Sequence, residues 1–233
     1  SWAFSAIMGL GNGADSDVSA LEANDNFGSS VSLNAAGDRL AVGAAGDDGA
    51  DNATGGIGAV YLFSFSDADF NGGSLKSIIG KGNTGLRNAV DDLDNLENAD
   101  QFGSSIALNG AGDWLAVGAP GDNGADDTSS NSGAVYLFNF FDEDFLGASL
   151  RGTIGKGYTG GLNVDVADLE DGDVFGSAVS LNGAGDRLAV GAQGDDGTGN
   201  VAGQAGAAYL FSFSGTLFNN LTIDLESTIG KGY

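Results

Sequence analysis

The chain has 233 residues, a formal net charge of −24, and neither cysteine nor histidine. That composition excludes disulfides, thiol nucleophiles, serine–histidine catalysis and zinc sites built on imidazole or thiolate. A field this negative repels nucleic-acid backbones and anionic bilayer surfaces, and leaves cations as the natural counter-species.

The apolar content of 42% supports a packed core, so the acidity does not read as a disordered tail. No apolar run approaches the ~18 residues of a membrane span. The acid is 27 Asp against 5 Glu, a bias toward turns and loops over helices. The 42 glycines and the single proline, Pro120, follow no Gly-x-y period and indicate many turns and close backbone packing.

In chain order, Ile7-Met8-Gly9-Leu10-Gly11 matches Ile78-Ile79-Gly80-Lys81-Gly82 and predicts a lone extended segment at the N-terminus. Three copies of one longer pattern follow. Each opens on strand A, at Phe27-Gly28-Ser29-Ser30-Val31, Phe102-Gly103-Ser104-Ser105-Ile106 and Phe175-Gly176-Ser177-Ala178-Val179. In strand A, Phe27, Ser29, Val31 and Leu33 alternate onto one face. A short connection, Asn34 to Asp38, predicts a hairpin into strand B, Leu40 to Ala44, which is apolar on both faces with one face reduced to Ala and Gly. Strand C, Ala59 to Phe65, is also apolar on both faces. Strand D, Leu75 to Ile79, carries Lys76 and Ser77 and is expected to be the most exposed.

Sheets buried on both sides, with a small-residue face for close approach, suit units stacked against one another. The expected fold class is therefore all-β, a β-propeller-type array of four-stranded antiparallel blades: three full blades plus one N-terminal outer strand. The expected boundaries are an outer strand of a preceding or partner blade over 1–13, then blade repeats over 14–88, 89–161 and 162–233. Three blades are fewer than a closed propeller uses. The expected partners are therefore other blades of the same parent chain, or copies of this chain.

The run from Phe102-Gly103 to Gly118-Ala119-Pro120 resembles the FG-GAP repeat of integrin α-subunit propellers. All three copies keep Phe-Gly and Gly-Ala; only the middle one has the full Gly-Ala-Pro. The wording Gly-Asp-Arg-Leu-Ala-Val-Gly-Ala with Thr-Ile-Gly-Lys-Gly-Tyr-Thr-Gly-Gly is similar to tandem repeats in large bacterial secreted surface proteins of the haemagglutinin and adhesin kind. The resemblance implies a propeller used for extracellular binding, often with Ca²⁺ held between strands A and B. Here that connection, Asn34-Ala35-Ala36-Gly37-Asp38, has one carboxylate, too few oxygens for the six to eight that Ca²⁺ takes, so the family's metal site does not carry over.

Two other acidic sets are the candidate ligands. The approach to strand A repeats as Asp17, Glu22, Asp25; Asp92, Glu97, Asp100; and Asp165, Glu170, Asp173. The loop between strands B and C supplies Asp47 and Asp48, Asp122 and Asp126, and Asp195 and Asp196, bracketed by glycines. Oxygen donors at this density suit Ca²⁺; carboxylates that cap turns are the alternative. In propeller connectivity both sets fall at one end. Asp38, Asp113 and Asp186 are expected to bond nearby backbone amides in their turns, and Lys81, Lys156 and Lys231 to block pairing at the sheet edge.

The sequence therefore reads as a non-enzymatic module of a secreted or cell-surface bacterial protein. It is expected to serve adhesion or structure as an acidic platform for a glycan or protein ligand. A purely architectural spacer or filament subunit is the alternative, and a glycan-processing enzyme with paired carboxylates the third reading.

Overall fold

The computed structural model describes residues 8–9, 16–50, 55–83, 93, 95–142, 144–145, 147–200, 203–216 and 219–233. No helix occurs among them. The chain opens with β1 (Met8–Gly9) and β2 (Ser16–Asp17), paired in parallel. The first blade is β3 (Phe27–Leu33), β4 (Arg39–Ala44), β5 (Ala59–Ser64) and β6 (Ser74–Gly80). The second is β7 (Ser105–Leu108), β8 (Trp114–Ala119), β9 (Ala134–Asn139) and β10 (Ser149–Gly155), with β11 (Val164–Asp165) added. The third is β12 (Phe175–Leu181), β13 (Arg187–Ala192), β14 (Ala207–Thr216) and β15 (Asn219–Gly230).

Each blade is an antiparallel meander in simple chain order, as the repeat predicts. The second sheet departs from four strands. Ile154 and Gly155 of β10 pair in parallel with Val164 and Asp165 of β11. The pairing of β1 with β2 has the same form. A repeat thus touches the outer edge of the preceding blade before it builds its own sheet.

The simple alternation in strand A does not hold. Phe27 pairs with Ala44 but Ser30 pairs with Gly43, so Gly28 and Ser29 bulge out of the ladder, and the third blade repeats the shift between Phe175 and Ala178. Because two residues bulge, Phe27 keeps the face of Val31 and Leu33, while Ser29 leaves the ladder. Gly28, Gly103 and Gly176 take φ of 92°, 90° and 86°, a conformation open to glycine at little cost.

The bulge exists to reach the neighbouring blade. The Phe102 amide donates to the Ile57 carbonyl at 2.8 Å, and the Phe175 amide to the Ser132 carbonyl at 3.0 Å. Gly58 bridges Phe102 and Gly133 bridges Phe175 in parallel. The Phe-Gly peptide lies so close that a Cβ on Gly43 would sit 2.0 Å from the Gly103 carbonyl oxygen, and one on Gly118 2.0 Å from that of Gly176. Ser30 and Ser105 hydroxyls donate to those same two carbonyls, at 2.6 and 2.7 Å.

Around this contact the blades bury their faces. Each blade has a trailing face of small and branched side chains (Ala41, Val60 and Leu62 in the first) and a leading face of bulky ones (Phe102, Val117, Tyr136 and Phe138 in the second). The first two blades share one core, and Val135 and Leu137 meet Phe175, Val190 and Phe211 in the next. Phe102, Phe138, Phe175 and Phe211 are fully buried, each worth about 1.5–3 kcal/mol of transfer free energy.

Polar contacts complete each junction, and two of them correct the sequence reading. Lys81 and Lys156 do not block an edge: their ammonium groups donate to the Leu96 and Leu169 carbonyls in the loop of the following repeat. In the A–B turns the Asn is the capping residue. Asn34 Oδ1 accepts from the Asp38 and Arg39 amides at 3.1 Å, and Asn34 Nδ2 donates to Asp38 at 2.8 Å. Arg39 then donates across the junction to the Gly112 carbonyl at 3.1 Å. Trp114, in the corresponding place of the second blade, stacks on Phe213 of the third with centroids 6.1 Å apart.

Two glycines separate close approach from mere flexibility. Gly118→Val is expected to cost about 3 kcal/mol, a fall in Tm on the order of 10 °C, because its branches meet backbone. Gly55→Ala has open space around its Cβ and ordinary backbone, and should leave the thermal transition within about 2 °C of wild type.

Candidate functional site

The acidic end of each blade is built by two loops held together through their backbones. The loop into strand A carries Asp25, Asp100 or Asp173; the loop between the second and third strands carries Asp47, Asp122 or Asp195. The Gly46, Gly121 and Gly194 amides donate to the Asp25, Asp100 and Asp173 carbonyls at 2.9, 3.1 and 3.1 Å. A Cβ on Gly121 would sit 1.9 Å from the Ala99 carbonyl oxygen, so the glycine preceding each loop Asp lets one loop lie on the other. The residues flanking the first acid are left-handed, with Ala99 at φ 68° and Gln101 at φ 57°. Hydrogen bonds from their amides to the Gly55 and Gly56 carbonyls of the preceding repeat hold that conformation.

Within each site the acids have distinct surroundings. Asp122 is buried and saturated with donors. It accepts from the Gly124 amide at 2.8 Å, the Tyr136 hydroxyl at 2.7 Å and the Tyr158 hydroxyl at 2.9 Å. Asp47 has Gly49 and Tyr61, at 2.9 and 2.7 Å. Asp195 has Gly197, Tyr209 and Tyr233, at 2.7, 2.6 and 3.0 Å. The acid ahead of strand A in each pair accepts at one oxygen from a local amide: Asp25 from Glu22, Asp100 from Glu97 and Asp173 from Glu170, at 2.6, 2.7 and 2.8 Å.

Two carboxylates side by side, both out of water, raise each other's proton affinity. Burial pushes the Asp100 carboxyl up to about 7, with the charge of Asp122 adding to the rise. Burial likewise raises Asp47, Asp122 and Asp173, although the tyrosine hydroxyls and amide donors pull the first two back toward the charged form. Burial also raises Tyr136, Tyr61 and Tyr209, which keeps their hydroxyls neutral and available as donors.

The structure therefore brings together Asp25 with Asp47, Asp100 with Asp122 and Glu97, and Asp173 with Asp195 and Glu170. The others tie loops, although Asp48 and Asp196 also add their charge to Asp47 and Asp173. Asp48 accepts from the Gly56 amide at 2.8 Å, Asp196 from the Gln204 amide, and Asp126 from the Thr128 hydroxyl at 2.7 Å. Asp165 accepts from the Gly157 amide at 2.8 Å. Asp17 lies in β2, and Asp92 lies outside the described residues. Among the described residues, no three acids are gathered as a metal cluster. In the third repeat the acids line a cleft of about 220 Å³, formed by Asp168, Glu170, Asp173, Asp195, Asn200 and Tyr233.

The tyrosine partners are what the sequence reading missed. Their signal was present: Asp and Tyr recur 14 residues apart in every copy, at 47 and 61, 122 and 136, and 195 and 209.

The FG-GAP repeat profile matches residues 16–63, 94–138 and 166–211, one match per blade and more than half of the chain. The chain belongs to the FG-GAP repeat family. A search of curated protein sequences finds no match. Among solved structures the chain is similar to KlHsv2 with loop 6CD replaced by a Gly-Ser linker. The two share 12% identity over 85% of this chain and 44% of that one, with a TM-score of 0.40. It is also similar to Saccharomyces cerevisiae Sqt1, at 9% identity over 89% of this chain and 36% of that one, TM-score 0.42. A third likeness is the Pseudomonas aeruginosa periplasmic gluconolactonase PpgL, at 12% identity over 88% and 59%, TM-score 0.35. The FG-GAP chain thus spans less than two thirds of the length of each of these proteins.

Two measurements probe the buried acids. Tyr136→Phe leaves Asp122 short of a buried donor and should cost about 1–3 kcal/mol in chemical denaturation. For Asp100 the folded state favours the proton, so its stabilising contribution is complete below about pH 4 and is lost as pH rises through about 7. Asp100→Asn keeps an acceptor without the charge. It should match wild type near pH 4 and exceed it by on the order of 1 kcal/mol, about 2–4 °C in Tm, at pH 8.

Proposed function

We propose that this FG-GAP segment is a non-enzymatic recognition module of an extracellular or cell-surface protein. Its acidic end binds a polyhydroxylated glycan or a protein surface, with Ca²⁺ as the bridging ion. The observation that carries the reading is the recurrence of one buried acid pair at the same end of every blade: Asp25 with Asp47, Asp100 with Asp122, and Asp173 with Asp195. Such an array repeats a contact, whereas catalysis needs one asymmetric constellation of acid, base and nucleophile. The pairs hold excess negative charge that a divalent cation relieves, and carboxylates together with Ca²⁺ suit the vicinal hydroxyls of a sugar. The bridging carboxylates are Asp100 and Asp173, each of which spends only one oxygen on a described hydrogen bond, together with Glu97 and Glu170.

Calorimetric Ca²⁺ titration and melting curves with and without chelator test the ion. Millimolar Ca²⁺ should raise Tm by about 2–4 °C, and Asp100→Asn and Glu170→Gln together should remove most of that gain. A glycan array run with Ca²⁺ and with chelator tests the ligand. Unchanged melting together with a blank array would end this reading.

A further inference from the structure

We propose that the cleft between the second and third blades, at the loop end of the chain, binds a neutral saccharide directly, without a metal ion. The proposal takes up the recognition reading above but places a separate site beside the acid pairs, one that uses none of their carboxylates.

The cleft holds about 440 Å³, within the range of about 300–1,000 Å³ that small ligands occupy. Both of its walls belong to a junction inside the chain. The second blade supplies Gln101, Ser104 and Asn131, and the third supplies Ser177 and Gln193. At the opposite end the A–B turns are stitched together: the Ala35 amide donates to the Gly110 carbonyl at 3.0 Å, and the Gly110 amide to the Gly183 carbonyl at 2.9 Å. The cleft therefore opens at the loop end, where Gln101 follows Asp100 in the chain and Val174 follows Asp173.

The three copies serve as an internal comparison. Residues that build the junction are the same in each: the Phe-Gly pair, the glycine at 43, 118 and 191, and the glycine at 46, 121 and 194. The rim of the cleft differs. Pro120 stands where the other copies have Ala45 and Gln193, and Asn131 where they have Gly56 and Gln204. The residue before the Phe is Asn26, Gln101 or Val174. None of these is charged, although Gln101, Pro120, Val174 and Gln193 each lie within two residues of a loop Asp. A fixed scaffold that carries a variable, uncharged rim is how a repeat fold presents a recognition surface.

The side chains of the rim define the ligand. Gln101, Asn131 and Gln193 are exposed, and each amide offers both donors and an acceptor. The Ser104 and Ser177 hydroxyls donate to the Gln101 and Gly191 carbonyls, at 2.8 and 3.1 Å, which leaves their oxygens as acceptors. Such a set matches the paired hydroxyls of a sugar. Among the described residues that line the cleft there is no cation to balance an anionic group. Val174 and Pro120 add a small apolar patch for the C–H face of a sugar ring. That patch lacks the buried aromatic or Arg anchor on which a protein partner depends. The backbone is set in advance. Val174 is left-handed at φ 49°, costly for a β-branched residue, and its amide is held by the Asn131 carbonyl at 3.0 Å. Asn131, at φ 51°, is held in turn by its amide's bond to Asn123 Oδ1 at 2.8 Å. A rim fixed beforehand loses less freedom on binding.

A glycan array probed with the full chain in EDTA tests the site, followed by a saturation-transfer NMR titration of the neutral glycan bound best. Wild type should bind neutral glycans with the chelator present. Asn131→Gly and Gln193→Ala install what the first copy holds at those places, Gly56 and Ala45, so the double variant should fold and melt as wild type does. It should weaken the binding at least about tenfold. Gln193→Ala alone, at an exposed position, should act in the same direction if the double variant melts early. An array that is blank in EDTA overturns the proposal; glycans bound only with Ca²⁺ would assign recognition to the acid pairs instead. Binding confined to charged glycans overturns it as well, and so does neutral-glycan binding that the double variant retains in full.

Discussion

The contact on which this structure depends is the approach of a Phe-Gly peptide to the glycine-lined strand of the preceding blade. With carbonyl oxygens 2.0 Å from where a Cβ would stand on Gly43 and Gly118, no other residue type fits there. The approach sets the spacing of the blades, and the spacing lets Phe102 and Phe175 bury completely in the neighbouring core. The Ser30 and Ser105 hydroxyls satisfy the carbonyls that the bulge would otherwise strand. Aromatic edge-to-face contacts, such as Phe102 on Tyr136 at 5.5 Å, carry the same ring into the acidic end.

That link explains how carboxylates are buried here with no ion pair to a cation among the described residues. The tyrosine that packs on the Phe-Gly ring also donates to the loop Asp, so one residue serves the core and the polar end together. Asp122 is stabilised by donors on every side. Burial raises the proton affinity of both acids, and Asp100, with fewer donors and the charge of Asp122 beside it, is pushed up to about 7. A chain with a net charge of −24 that keeps such pairs at one end concentrates negative charge there. The FG-GAP repeat thus separates two tasks by position: the faces hold blade to blade, and the loop end presents oxygen.

Much of the fold is legible because its period is long and its strand patterns are plain. Two-sided apolar strands B and C, with Ala and Gly on one face of B, predict stacked sheets, and the sheets stack. The bulge is harder to read, since alternation from Phe27 through Leu33 looks regular until the Gly28 conformation breaks it. The lysines were misread for a related reason. Gly-Lys-Gly resembles an edge, but Lys81 is followed in space by the loop of the next repeat, whose Leu96 carbonyl lies 15 residues on. At the acidic end, composition marks both loops, whereas Tyr61, Tyr136 and Tyr209 read only as apolar positions of strand C.

The sequence by itself determined the repeat, its four strands, the glycines where backbones meet and the acid at the loops, because each is a local pattern renewed three times. Only the tertiary structure decided which acids meet, since Asp100 and Asp122 come from different loops. It also decided that Asp122 is saturated, since Tyr158 reaches it across 36 residues. Burial and donor count set the chemistry of a carboxylate, and both are properties of the surroundings that no residue carries in its own name.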